Sequence, residues 1–72
     1  MEEILRQFGL RVKGFRQSRG ISQEKLADLA GLDRSYVGGV ERGERNISLI
    51  NIHKLAAALN ISTGTLLEDS FR

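Results

Sequence analysis

Cysteine, proline and tryptophan are absent from the 72 residues, and histidine and tyrosine occur once each. Without cysteine there is no disulfide framework, and one histidine cannot build a Cys/His zinc cluster, so the core must hold itself or be helped by a second subunit. No apolar run approaches the roughly 20 residues that span a bilayer. The first residues, MEEILRQFG, carry acids where a secretory signal carries positive charge, and a cytoplasmic location is the expectation. At 72 residues, 40% of them hydrophobic, the chain is expected to form one domain over 1–72 around one small core. Such a core leaves little room for a catalytic pocket. Charge of one sign is also scarce: 11 Lys/Arg stand against 9 Asp/Glu. The distribution says more, because residues 6–45 hold nine Lys/Arg and only five Asp/Glu. That stretch suits a polyanion, although a solvated face would look similar.

What the chain does have is a pattern over residues 23–42, QEKLADLAGLDRSYVGGVER. Leu26, Ala27 and Ala30 form one apolar stripe on a helix of about two turns, opened by Ser22. Gly31 can close that helix with a left-handed residue, and Leu32 would plug the elbow. Asp33 is a good cap for a second helix, whose Val37 and Val40 share a face and would pack back on Leu26 and Ala30. Ala27 fits where the two helices cross most closely. A small residue, a glycine and a cap in that order describe a helix-turn-helix rather than an unspecialised helical hairpin.

The flanks are helical too. Leu5, Phe8, Val12 and Phe15 predict a first helix over about 3–19, with Gly20 as its stop. Ser48 predicts the start of a fourth helix, with Leu49, Ile52, Leu55, Ala56 and Leu59 as its buried stripe and Asn60 as its end. Ser62 can cap a short fifth helix containing Leu66 and Leu67. The expected fold class is all-α, with five helices and no strand. His53 lies off the stripe with no companion ligands and reads as solvated, so no metal is expected. Ser35, Ser48 and Ser62 have no base partner, so neither an enzyme nor a cofactor is expected.

The stretch GISQEKLADLAGLDRSYVGGVERGERNISLINIHKLAAALNIS resembles the helix-turn-helix domain of phage Cro and repressor proteins, the Xre family, and the resemblance covers residues 4–67. The run LDRSYVGGVERGERN is similar to the controller proteins of restriction-modification systems. The resemblance implies a five-helix, lambda-repressor-like DNA-binding domain. In that architecture the motif's second helix enters the major groove by its first turn, where Arg34 and Ser35 stand. Arginine can bond guanine O6 and N7 bidentately, so Arg34 is the leading base reader; its alternative is a phosphate or a nearby acid.

The family match further implies a phosphate anchor at Gln23 and a second phosphate clamp at Arg45 and Asn46, set against plain surface polarity at each. Tyr36 could meet phosphate or sugar, or pack on the neighbouring helix. Gly38 and Gly39 are odd, since each costs about 0.5–1 kcal/mol inside a helix. Two readings are open: bare backbone that approaches the bases closely, or tolerance at an exposed position. The family match also implies a structural ion pair between Arg16 and Glu41.

One small helix reads too few bases to find an operator in a genome, so a two-fold dimer is expected, with its interface over about 48–72 at Ile50, Leu66, Leu67 and Phe71. The expected function is a homodimeric, sequence-specific regulator of transcription on double-stranded DNA, which could block RNA polymerase or recruit it by contact. Alternatives are an antitoxin or phage-type repressor, or a protein-interaction module that keeps the fold.

Overall fold

In the computed structural model, residues 2–68 are described, so the interface expectation at Phe71 lies outside the described residues. Five helices follow one another: α1 (Glu3–Ser18), α2 (Gln23–Ala30), α3 (Arg34–Glu41), α4 (Leu49–Ala58) and α5 (Thr63–Leu67). No strand occurs among the described residues.

Each helix after the first begins at a side-chain cap. Ser22 Oγ accepts from the Lys25 amide at 3.0 Å, Ser48 Oγ from Asn51 at 3.1 Å and Ser62 Oγ from Thr65 at 3.0 Å. Asp33 Oδ2 accepts from the Ser35 amide at 3.0 Å. Each such bond satisfies a donor that would otherwise be orphaned at a helix start. The elbow between α2 and α3 is Gly31 at φ 69°, ψ 34°, a left-handed conformation that side chains disfavour. Leu32 is half-buried against the core beside it.

The core draws on every helix. Val12 of α1, Leu26 of α2, Val37 of α3, Leu55 of α4, Leu59 at its C-cap and Leu66 of α5 are each fully buried. Two expectations about this core need correction. Leu49, placed in the buried stripe of α4, is 70% exposed. It is the first residue of the helix, and helical side chains lean toward the N-terminus, so it overhangs the packed region. Leu66, assigned to a dimer interface, is buried in the monomer core. The fifth helix folds back on α1 and α4, and Arg11 of α1 holds it there by donating from Nε to the Leu66 carbonyl at 2.9 Å.

Two glycines permit close backbone contact. Gly9 of α1 is buried against the end of α3, where a methyl group would stand 2.6 Å from the Glu41 carbonyl oxygen and nearer still to that of Val40. Gly43, at φ 78°, turns the chain out of α3 so tightly that a methyl there would lie 2.8 Å from Arg6 Cα. The motif is therefore clamped to α1 at the C-terminal end of α3, leaving its N-terminal end outward.

Candidate nucleic-acid interface

Val37 and Val40 point α3 into the core, so by helical periodicity Ser35, Gly38, Gly39 and Arg42 share its outer face. Arg34 begins this helix and is exposed, and its side chain forms no hydrogen bond or ion pair among the described residues. Ser35 is exposed beside it, and its hydroxyl donates to Asp33 Oδ2. That bond first, then the Ser35 amide, holds the Asp33 carboxyl below the ordinary range, with the nearby Arg34 charge contributing last. The cap is therefore complete at neutral pH and is lost only as pH falls through the lowered value.

Gln23 opens α2 half-buried, with Nε2 donating to Glu41 Oε1 at 3.0 Å. Glu41, only 6% exposed, also takes a two-pronged contact from Arg16, Nε to Oε2 at 2.7 Å and Nη2 to Oε1 at 3.1 Å. The Glu41 carboxylate, as hydrogen-bond acceptor, raises the Arg16 pKa against the opposing effect of burial, so the guanidinium stays charged. Arg16 Nη1 donates to the Ile21 carbonyl at 2.9 Å. Arg16, Glu41 and Gln23 thus link α1, α3 and α2, and the Gln23 amide is presented from a fixed position. Nε2 has two hydrogens, and Glu41 takes one.

The two glycines of α3 are not exposed. Both are buried, which corrects the reading of a tolerant surface position, and the bare-backbone reading meets the same obstacle. Side chains cover them: Arg42 Nη1 and Gln23 Oε1 lie over Gly38, and Arg45 lies over Gly39. Arg42, absent from the expected set, pairs with Glu44 at 3.1 Å. Tyr36 is half-buried; its hydroxyl accepts from Asn51 Nδ2 of α4 at 3.1 Å, and the Arg45 guanidinium sits 5.6 Å from its ring centre. Asn46 stands apart from this group. It borders an apolar hollow of about 150 Å³ formed with Ile4, Phe8, Ile47, Ile52 and Leu67, and makes no side-chain hydrogen bond among the described residues.

Known proteins share this fold. A helix-turn-helix family model matches residues 12–66. The chain belongs to the Xre-type helix-turn-helix family. This helix-turn-helix regulator is 48% identical over 56 residues to the control protein C.SmaI of Serratia marcescens, across 78% of this chain and 67% of that protein. It is 61% identical to the restriction-modification controller protein C.AhdI from Aeromonas hydrophila, with a TM-score of 0.85 over 86% of this chain and 94% of that one. The controller protein C.Esp1396I, solved as a tetramer in complex with its natural 35 base-pair operator, superposes with a TM-score of 0.89 at 28% identity, over 99% of this chain and 93% of that one. Among the described residues no helix is long and apolar enough to cross a membrane.

Proposed function

We propose that the chain is a cytoplasmic, one-domain, homodimeric controller protein of a restriction-modification system that reads a pseudo-palindromic operator. The observation that carries this reading is Arg34, exposed and unpaired among the described residues at the leading end of α3. Farther along the same helix, Gln23, braced by Glu41, lies over Gly38, and Arg45, laid against Tyr36, lies over Gly39. These are the donors that a groove-inserted helix needs: one for base edges and others for the flanking phosphates. Arg42 joins them on the same outer face. Occupancy then regulates transcription, either by blocking RNA polymerase or by bringing it in, according to where the operator lies.

The test is selection of bound duplexes from a random DNA pool, followed by affinity measurements on the winner. Arg34→Ala is expected to cost about 1–3 kcal/mol per half-site and to relax the preference at one guanine. Equal loss on every sequence would reassign Arg34 to phosphate, while salt-insensitive binding to a protein and none to DNA would replace the reading by an interaction module.

For the dimer, Leu49 and Ile50 supply adjacent apolar side chains, 70% and 69% exposed, on the first turn of α4. With Leu66 occupied in the core, these two with the half-buried Leu67 are the better interface, and they set half-sites about 34–36 Å apart. Ile50→Lys is expected to sediment as a monomer at micromolar concentration while keeping its helical circular dichroism. A dimer of unchanged affinity would move the interface elsewhere.

A further inference from the structure

The geometry points to Gly39 as a positioning residue: its missing side chain is the seat on which Arg45 lies flat, so that Arg45 is presented to the nucleic-acid backbone in one set direction. This rests on the reading that α3 faces a duplex, but the seat itself is a property of the free protein.

Arg45 belongs to the loop after α3, where an exposed arginine ordinarily samples many rotamers and loses that freedom when it binds. Here two surfaces confine it. A methyl group on Gly39 would stand 3.0 Å from Arg45 Nε, 3.1 Å from Cγ and 3.6 Å from Cδ, so the stem of the side chain passes directly over the bare backbone. The guanidinium beyond it rests 5.6 Å from the Tyr36 ring centre, and Asn51 fixes that ring's hydroxyl at 3.1 Å. Tyr36 and Gly39 are three residues apart and therefore neighbours on one side of α3. A methyl at 39 would push the stem outward by a few tenths of an ångström and loosen the stack, and a longer side chain would displace it, because an exposed arginine yields more readily than a helix backbone. Gly39 weakens the reading helix, and the seat is what that weakness secures.

The experiment compares wild type, Gly39→Ala, Arg45→Ala and the double variant, with Gly14→Ala as a helix-glycine control because nothing lies within 4 Å of a methyl there. Tyr36 is the lone tyrosine, so NMR of the free proteins reports the stack as ring-current shifts of the Arg45 side-chain protons. Those shifts are expected in wild type and Gly14→Ala and reduced in Gly39→Ala, with folding retained in all. On the duplex selected by wild type, Gly39→Ala is expected to bind about tenfold more weakly, as for one weakened charged hydrogen bond. The slope of log affinity against log salt should fall by up to about one per half-site. In the Arg45→Ala background the same substitution should change neither quantity.

Undiminished ring-current shifts in Gly39→Ala would overturn the seat. A tenfold loss that persists without Arg45 would also overturn the inference, since residue 39 would then act on DNA directly. Reduced shifts with unchanged affinity for the duplex would leave the stack but remove its role in binding, and failure of wild type to bind any duplex would strike the underlying reading instead.

Discussion

Gly9→Ala is expected to lower the stability of the protein by about 3 kcal/mol and its melting temperature by roughly 15 °C. Two effects of opposite sign compete at this position. Alanine in a helix is favoured over glycine by about 0.5–1 kcal/mol, which alone would stabilise α1. Against it stands the new methyl, 2.6 Å from the Glu41 carbonyl oxygen and closer to that of Val40. Both obstacles are backbone atoms at the end of α3, with no rotamer to change, so the two helices must separate. Overpacking of this kind costs about 1–3 kcal/mol or more, and the upper end applies because neither surface can give. The clash therefore wins. Gly14→Ala, in the same helix but with open space around it, should show the opposite sign. Equal thermal denaturation curves for Gly9→Ala and wild type would mean that α1 and α3 do not touch there.

The separation would also reach the site. Glu41 is the residue whose carbonyl the methyl meets, and its carboxylate braces Gln23. Any tilt of α3 away from α1 would loosen Gln23 and redirect Arg34 together.

The role of Gly9 was legible only in part. At 100° per residue it falls beside Val12 and Arg16, whereas Gly14 falls on the far side of the helix, so a helical wheel separates the two. It does not reveal that a carbonyl waits opposite. The helix starts were plain because Ser22, Asp33, Ser48 and Ser62 act on amides two or three residues away, within reach of local reading. Burial at helix ends was not. Leu49 matched the apolar period of α4 yet overhangs the core, and Leu66 looked surplus to a short terminus yet fills the space between α1 and α4. Both errors share one cause: periodicity assigns a face, while the length of the neighbouring element decides whether anything covers it.

The site divides the same way. Arg34 and Ser35 follow from the cap at Asp33, which places them in the first turn of α3. Gly38 and Gly39 were visible as anomalies, but the covering of Gly38 by Gln23 depends on how α2 packs, and that of Gly39 by Arg45 on a loop returning over the helix. No local pattern encodes that return. Arg42 went unread because it closes α3 as its C-cap, where a basic residue already has a sufficient role beside the last carbonyls.

Arg16→Ala is expected to cost about 3–5 kcal/mol, as for a buried carboxylate stranded without its cation. A 72-residue domain has only about 4–11 kcal/mol in total, so this single change should leave a large unfolded population near physiological temperature. The side chains involved are 12% and 2% exposed, which removes most of the screening that weakens surface pairs. The contrast is Arg6 with Glu3, 56% and 64% exposed at 3.4 Å, where loss of either partner should cost under about 1 kcal/mol. Arg16→Lys is not expected to rescue, because one ammonium cannot span both Glu41 oxygens and the Ile21 carbonyl as the guanidinium does. The double variant Arg16→Met with Glu41→Met strands no charge and should recover much of the loss, leaving Gln23 without its acceptor. At a temperature where Arg16→Ala is folded, its ranking of selected duplexes should match wild type even where its affinity is lower, since Arg34 is untouched. Urea denaturation of the four proteins checks the energies, and full stability of Arg16→Ala would show that the pair does not join α1 to the motif.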